Sequence, residues 1–216
     1  MRVNVLNEVN SVLNQYIREI RDSNIQKDRE RFRRNMEKCG FLLAFEISKS
    51  LDFNKIKLQT PLKSAEENII SDQLVLACIL RASLPFYNGF LNAYPNAESG
   101  FVGAARKHSD PVNFEIQADY FAFPSIEGKS LILIDPMLAT GKSMVEVINH
   151  LCQKERPQKL IISSLIATAE ACSYLEDKIK IPFEIYTAAL DPELTTNFYI
   201  SPGLGDAGDL AFGPKV

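Results

Sequence analysis

The sequence predicts an α/β fold, with a mainly parallel twisted sheet, helices on both faces and a helical extension at the N-terminus. From residue 70 onward, apolar runs typical of buried strands alternate with amphipathic helical segments. The chain has 216 residues, of which 46% are hydrophobic and 24% charged, so it is long enough for one sizeable core. No linker, repeat or low-complexity tract divides it. We therefore expect a single domain over residues 1–216.

The first fifty residues have a helical pattern. Apolar residues recur at steps of three and four over 5–20, and a second amphipathic helix carries the apolar residues of 32–47. Residues 1–50 are therefore predicted to form the helical extension. The charged stretch 27–34 contains four arginines that alternate with Glu30 and Phe32. This mixture predicts a solvated helix face rather than an anion site.

The rest of the chain predicts the sheet and its helices. Residues 55–60 alternate in polarity and end at Pro61, which is typical of an edge strand. Because strands then alternate with helices, most of the sheet is expected to be parallel. The predicted strands are 73–80, 100–105, 114–123, 130–135, 160–167 and 182–189, and the predicted helices are 84–93, 143–154 and 169–178.

One segment, 131–145, predicts a phosphate site. Four apolar residues lead into Asp135, a loop of small residues and then a helical pattern. Ligands of parallel sheets bind beyond the carboxyl ends of the strands, where Asp135 and Arg81 both stand. Free N–H groups at a helix N-terminus bind phosphate. We expect the N–H groups of 139–143 to hold a terminal phosphate.

Two nucleotide motifs are only superficially present. Gly141-Lys142-Ser143 resembles the end of a P-loop, but Pro136 occupies the position of the required first glycine. Proline fixes φ and lacks an N–H, so that anion nest does not form. Residues 203–208 match G-x-G-x-x-G, yet only eight residues follow, too few for the βαβ unit of a dinucleotide site.

A sugar phosphate fits the remaining polar residues. The Asp135 carboxylate is suited to accept hydrogen bonds from ribose hydroxyls. Arg81 and Arg106 follow apolar runs that we expect to be neighbouring strands, and together they are suited to bind a second anion such as pyrophosphate.

Bulk properties exclude several classes. The net charge of −3 argues against nucleic acid as a partner. The longest apolar run, 74–80, is far too short to cross a membrane. The N-terminus lacks a signal-peptide core, so we expect a cytoplasmic protein. The four cysteines have no metal-binding spacing, which predicts buried, reduced thiols rather than a zinc site.

Four segments together resemble the uracil phosphoribosyltransferases, a branch of the type I phosphoribosyltransferase fold. DPMLATGKS at 135–143 resembles the family's phosphoribosyl-diphosphate signature DPMLATGGS, and YISPGLGDAGDLAFG at 199–213 is similar to its C-terminal uracil loop. ILRAS at 79–83 resembles its pyrophosphate loop ILRAG. ERFRRNMEKCGFLLAFE is similar to its second helix. The resemblance covers nearly the whole chain in order.

The resemblance implies roles for these residues. Arg81, Arg106 and Asp206 are implied as catalytic, 195–216 as the uracil-binding loop, and 114–123 as a mobile β-hairpin flap. Mg²⁺ is the implied cofactor, held mainly by the diphosphate near Asp206 rather than by direct protein ligands. The implied phosphoribosyl-diphosphate site contains Arg81, Arg106, Asp135, Pro136, Met137, Leu138, Ala139, Thr140, Gly141, Lys142, Ser143 and Asp206, and the implied uracil site contains Ile200, Gly205, Asp206 and Ala207.

The implied activity is a pentosyl transfer of pyrimidine salvage. Uracil and 5-phosphoribosyl 1-diphosphate would give UMP and pyrophosphate, in a homo-oligomer that is a dimer or tetramer; some relatives respond to GTP. The chain departs from the family at Ser83, which replaces a glycine, and in the segment around Arg106. Two alternatives therefore stay open: a catalytically weak sensor or regulator that binds UMP or uracil, and a phosphoribosyltransferase for another base.

Overall fold

A computed structural model describes the backbone of residues 1–108 and 114–215, and the side chains of 1–103 and 120–215. Its strands are β1 (Arg2–Val5), β2 (Phe53–Gln59), β3 (Ser64–Ile70), β4 (Leu74–Leu80), β5 (Glu98–His108), β6 (Phe114–Ala122), β7 (Ser130–Ile134), β8 (Met137–Leu138), β9 (Lys159–Thr168), β10 (Glu184–Asp191), β11 (Glu193–Leu194) and β12 (Ile200–Ser201). Its α-helices are α1 (Val12–Arg21), α2 (Arg29–Ser48), α3 (Leu84–Ala93), α4 (Lys142–Leu151), α5 (Ala169–Lys178) and α6 (Ala207–Phe212).

The main sheet has the strand order β1-β10-β9-β7-β4-β5-β6, and the short β8 pairs with β9. Every one of these pairings is parallel except that of β5 with β6. The prediction of a mainly parallel sheet is confirmed. Parallel strands covered on both faces tolerate continuous apolar runs, which is why β4 and β7 are buried along almost their whole length.

Helices cover both faces of this sheet. Alternate residues of β7 belong to different cores: Ile132 and Ile134 pack with α1, α2, α3 and α6, whereas Leu131 and Leu133 pack with α4 and α5. This alternation follows from the period of two along a strand. The predicted helices 84–93 and 169–178 coincide with α3 and α5, and α4 begins at Lys142, one residue before the predicted start.

The N-terminal extension is only partly helical, which corrects the prediction for 1–50. Residues Arg2–Val5 form β1, which pairs with β10 in the main sheet. The run Val3-Asn4-Val5 alternates in the way a strand does, and only its last residue, Val5, fell within the predicted helical spacing. Helix α1 begins only after Ser11, whose side chain accepts a hydrogen bond from the N–H of Leu13.

The predicted strand at 55–60 is present as β2, but its partner is β3, which the sequence did not predict. Among the described strands these two pair only with each other, in an antiparallel hairpin apart from the main sheet. A second antiparallel hairpin is formed by β5 and β6, with 109–113 outside the described residues. The segment predicted as a β-hairpin flap, 114–123, is only the second strand of this hairpin, and its mobility stays a prediction.

The cysteines are unpaired, as predicted. Cys39, Cys78 and Cys172 are buried and Cys152 is partly buried. In the part of the chain that the structure describes, no helix is both long and apolar enough to cross a membrane.

Candidate active site

A pocket of about 220 Å³ opens at the carboxyl ends of the parallel strands. Three segments meet around it: the turn after β4, the loop from β7 to α4, and the C-terminal segment after β11. Of the predicted site residues whose side chains the structure describes, all line this pocket except Pro136 and Lys142. The lining residues are Ile79, Leu80, Arg81, Ala82, Asp135, Met137, Leu138, Ala139, Thr140, Gly141, Ser143, Met144, Phe198, Tyr199, Ile200, Gly205, Asp206, Ala207, Gly208 and Lys215.

The loop before α4 presents a helix N-terminus to the pocket. Gly141 is the N-cap of α4 with φ 75°, a left-handed conformation that glycine adopts without strain. Thr168, at the end of β9, donates a hydrogen bond from Oγ1 to the carbonyl of Ala139 at 2.7 Å and accepts one from the N–H of Ala171 at 3.0 Å. The loop is thereby fixed to α5, and the arrangement suits an anion at the start of α4.

Asp135 and Pro136 have different contacts in the β7–α4 loop: Asp135 faces the pocket, and Pro136 faces β9. The Asp135 carboxylate lines the pocket and accepts a hydrogen bond from the N–H of Met137 at 3.3 Å. Pro136 instead accepts hydrogen bonds at its carbonyl from the N–H groups of Leu165 and Ile166, at 3.1 and 3.0 Å. Its role is to attach the loop to β9 rather than to line the pocket. The Lys142 side chain is exposed.

Arg81 joins the turn after β4 to the C-terminal segment. Its Nη2 donates to Asp209 Oδ1 and to the carbonyl of Gly213, both at 2.8 Å. Its Nε is buried and has no hydrogen-bond partner among the described atoms. The side chain as a whole lines the pocket and is 36% exposed, so its guanidinium is suited to bind an oxyanion there.

Ser83 does not crowd the pocket, although a side chain there replaces the family's glycine. It is fully buried, and its Oγ donates to the carbonyl of Ile79 at 2.6 Å. Its φ of −73° is ordinary for any L-residue. The hydroxyl is satisfied within the turn between β4 and α3, so this substitution fits the local structure.

The C-terminal segment is not a simple loop, because it contains β12 and α6. Asp206 is the N-cap of α6, and its Oδ1 accepts a hydrogen bond from the N–H of Asp209 at 2.9 Å. Gly205 precedes it with φ 94°. Ile200 is buried at the pocket wall. The backbone of this segment therefore approaches the pocket closely.

Arg33 corrects the interpretation of the arginine-rich stretch as a solvated face. Its Nη1 donates to the carbonyl of Ala211 at 2.7 Å, which connects α2 to α6. The other three arginines of this stretch, at 29, 31 and 34, are exposed as predicted. The second-helix resemblance contained Arg33, but a helical pattern by itself does not reveal a partner so far along the chain.

Arg106 lies within β5 rather than after the end of a strand, because β5 continues to His108. The prediction that the strands leading to Arg81 and Arg106 are neighbours is confirmed, since β4 pairs with β5. The Arg106 side chain lies outside the described residues, so its predicted role is untested.

The sequence missed Phe198 among the residues that line the pocket. Phe198 has φ 60°, uncommon for a bulky residue, and lies in the turn between β11 and β12. No sequence pattern marks this position. Its neighbour Tyr199 was available from the resemblance, which began at that residue.

No cysteine is among the described residues that line the pocket, and Cys78, which is near Asp135, is not activated. Burial, together with the nearby charge of Asp135, raises the pKa of Cys78 to about 12. A thiol in that state is neither a nucleophile nor a metal ligand at neutral pH. Within the described ranges, no three His, Cys, Asp or Glu side chains form a group suited to a metal ion.

Comparisons with known proteins agree with this geometry. A family model described as uracil phosphoribosyltransferase matches residues 9–214. Uracil phosphoribosyltransferases of Porphyromonas gingivalis and Pyrococcus furiosus are 46% and 35% identical, covering 100% and 93% of this chain and 100% and 88% of their own.

Two solved structures are also similar. The AQ2163 protein from Aquifex aeolicus is 30% identical with a TM-score of 0.87, over 99% of both chains. A hypoxanthine phosphoribosyltransferase from Staphylococcus aureus, 18% identical with a TM-score of 0.51 over 86% of this chain and 84% of its own, shares only the fold. The fold is therefore of the type I phosphoribosyltransferase class, as predicted. With the family model spanning nearly its whole length, the chain belongs to the uracil phosphoribosyltransferase family.

Proposed function

We propose that this protein transfers the phosphoribosyl group of 5-phosphoribosyl 1-diphosphate to uracil, forming UMP and pyrophosphate. One observation carries the proposal beyond the family assignment. The segment with the phosphoribosyl-diphosphate signature and the segment with the uracil-loop resemblance, far apart in the chain, line the same pocket. A ribose donor and a base held there would be close enough to react.

The β7–α4 loop is the proposed site of the ribose 5-phosphate. The backbone from Ala139 to Ser143 surrounds the start of α4, where N–H groups and the helix dipole favour an anion. The Asp135 carboxylate is suited to accept hydrogen bonds from the ribose hydroxyls, because it stands at the end of β7 beside that loop. Met137 and Leu138 complete the wall.

The diphosphate is proposed to bind beside Arg81. The side chain of this arginine lines the pocket and is 36% exposed, so its guanidinium is suited to give charge-assisted hydrogen bonds to an anion there. Mg²⁺ prefers oxygen ligands, and Asp206 and Asp135 are carboxylates of the same pocket that would lie near a diphosphate-bound ion. When bound, Mg²⁺ neutralises negative charge on the diphosphate leaving group. We assign Arg106 to the same anion.

The C-terminal segment is proposed to recognise the pyrimidine. Ile200 and Gly205 to Ala207 line the pocket, and their peptide N–H and C=O groups would pair with the two carbonyls and one N–H along the edge of uracil. Cytosine presents a different donor and acceptor pattern. An unmatched buried polar group costs about 1–3 kcal/mol, which supports selection of uracil.

The proposed mechanism needs no nucleophilic side chain. A ring nitrogen of uracil bonds to C1 of the ribose as the C1–O bond to pyrophosphate breaks, and the proton on that nitrogen is released to water. The positive charge that develops on the ribose resembles that of an oxocarbenium ion, as in glycosyl transfer generally. The pocket residues position the two substrates and stabilise the departing anion. The carboxylates of Asp135 and Asp206 favour the positive charge that develops on the ribose.

An assay of UMP formation tests the assignment. The purified protein is incubated with 5-phosphoribosyl 1-diphosphate, Mg²⁺ and uracil, with cytosine, hypoxanthine and orotate as competing bases. We expect UMP from uracil and no nucleotide from the other bases, and loss of turnover when Mg²⁺ is chelated. Turnover with another base alone would reject the uracil assignment. Binding of UMP by calorimetry without turnover would favour the sensor.

We also infer that the protein is a homo-oligomer, either a dimer or a tetramer. Phe41 and Phe45 lie four residues apart on α2, on one helix face, and are 46% and 56% exposed. A pair of large exposed apolar side chains on one helix supports a protein contact. Sedimentation of the wild type should give at least a dimer, and Phe45→Lys should shift it towards the monomer. A monomeric wild type would contradict this inference.

A further inference from the structure

The C-terminal segment makes a tight, buried turn at Gly203, between Ile200 and Gly205, which are both proposed to recognise uracil. Gly203 has φ 55°, and a Cβ there would lie 2.0 Å from the carbonyl oxygen of Ile200, so no other residue fits. Because the turn is buried, its backbone N–H and C=O both need hydrogen-bond partners.

Two side chains from distant elements supply those partners. Asp191, the last residue of β10, accepts a hydrogen bond from the Gly203 N–H at its Oδ2, at 2.8 Å. Arg21, the last residue of α1, donates from Nη1 to the Gly203 carbonyl at 3.0 Å. Gly203 is thus held at both its N–H and its C=O, in the two peptide units that flank it, by side chains rather than by backbone. We call Arg21 and Asp191 the Gly203 clamp.

The two members of the Gly203 clamp also bind each other. Arg21 Nη1 donates to Asp191 Oδ2 at 2.8 Å and Nη2 donates to Oδ1 at 2.7 Å, a two-point contact of guanidinium with carboxylate. Their side chains are only 21% and 6% exposed. Removing either would leave the other as a desolvated charge without its partner, so the geometry of the pair is strongly determined.

We propose that the Gly203 clamp positions the uracil-binding backbone and thereby sets the affinity for the base. This inference rests on the proposed function. Neither Arg21 nor Asp191 lines the pocket, so they act through the loop rather than by touching substrate. Gly203 lies two residues before Gly205, where the segment reaches the pocket wall. A small rotation at that turn would move the peptide groups that recognise the pyrimidine.

Most of the proposed phosphoribosyl-diphosphate residues belong to other segments, and Asp206, three residues after Gly203, is held by its own bond to the N–H of Asp209 at the start of α6. The β7–α4 loop is fixed by the hydrogen bond from Thr168 to Ala139 and by those to the carbonyl of Pro136. None of these contacts involves the Gly203 clamp. Loosening the clamp should therefore affect uracil and leave the ribose donor little changed, a separation that a general loss of stability would not produce.

The test is Asp191→Asn. Its amide carries a single acceptor oxygen for the donors of Gly203 and Arg21, and its NH₂ group opposes the arginine. We expect the KM for uracil to rise about tenfold or more, the usual effect of losing a hydrogen bond to a charged group, with the KM for 5-phosphoribosyl 1-diphosphate within about twofold of the wild type. Arg21→Lys keeps the positive charge but loses the two-point contact with Asp191. It replaces Asp191→Asn in the same kinetic measurements if that variant does not fold.

Asp72→Asn is the matched control. Asp72 accepts a backbone N–H from Asp52 at 3.0 Å and a charged donor from Lys159 at 3.1 Å, and its side chain is 3% exposed. It lies just before β4, at the opposite end of that strand from Arg81. Losing this carboxylate should lower the midpoint of thermal unfolding. It should not raise the KM for uracil relative to the KM for 5-phosphoribosyl 1-diphosphate.

Hydrogen exchange of residues 200–206 provides a readout that does not depend on turnover. Faster exchange in Asp191→Asn than in Asp72→Asn, together with the separated KM values, would support the proposal. Equal changes in both KM values, or a lower thermal midpoint with neither KM changed, would overturn it. A wild type that makes no UMP would reject the proposed function instead, and unchanged exchange in Asp191→Asn would still overturn the clamp.

Discussion

Asp206→Asn is expected to reduce turnover about 100-fold or more, as removal of one preorganised electrostatic contact does in other enzymes, while the protein stays folded. Asp206 faces the pocket where the diphosphate, the ribose and the base are proposed to meet. The substitution removes its negative charge and changes little else in size. Stabilisation of Mg²⁺-diphosphate and of positive charge on the ribose should both weaken. Steady-state kinetics with both substrates measures the loss.

The fold should survive because asparagine is as good an N-cap as aspartate. The Asp206 side chain caps α6 by accepting the N–H of Asp209, and an amide oxygen takes over that bond. Asp28→Asn is the matched control, since Asp28 caps α2 in the same way, through the N–H of Arg31, and does not line the pocket. Equal activity of Asp206→Asn and Asp28→Asn would remove Asp206 from the catalytic residues.

Local patterns in the sequence were sufficient for most of the architecture and for the pocket walls. The apolar runs of β4, β7 and β9 are long enough to identify buried parallel strands, and their carboxyl ends identify the edge where ligands bind. The two short segments, 135–143 and 199–213, carried the family resemblance. Their meeting at one pocket required the fold, because nothing local says that the C-terminus returns to the end of β4.

Features determined by contacts between distant residues were missed. Strand β1 has only four residues, and its partner β10 lies about 180 positions along the chain, so no local period identifies it. In the sequence, Arg33 is one of several polar residues of an amphipathic helix, and only the fold shows that the carbonyl of Ala211 lies beside it. The pairing of Arg21 with Asp191 likewise joins residues that are far apart in the sequence. Each joins two distant segments whose local sequence patterns do not indicate the partner.

Arg81→Lys is the second substitution with a large expected effect. It keeps a positive charge at the pocket and loses the planar guanidinium, including the Nε that has no partner among the described atoms. Lysine has one ammonium group to divide among Asp209, Gly213 and the diphosphate. We expect kcat/KM for 5-phosphoribosyl 1-diphosphate to fall about 100-fold, in the range for loss of one donor to a developing anion.

A simple structural role for Arg81 would predict a different result. If it only held the C-terminal segment, Arg33→Lys should cause a similar loss, because Arg33 also binds a carbonyl of that segment but does not line the pocket. We expect Arg33→Lys to lower the thermal midpoint slightly and leave the kinetics for 5-phosphoribosyl 1-diphosphate almost unchanged. Equal losses in the two variants would assign Arg81 to support of the segment. A loss confined to Arg81→Lys would indicate that the guanidinium binds the diphosphate itself.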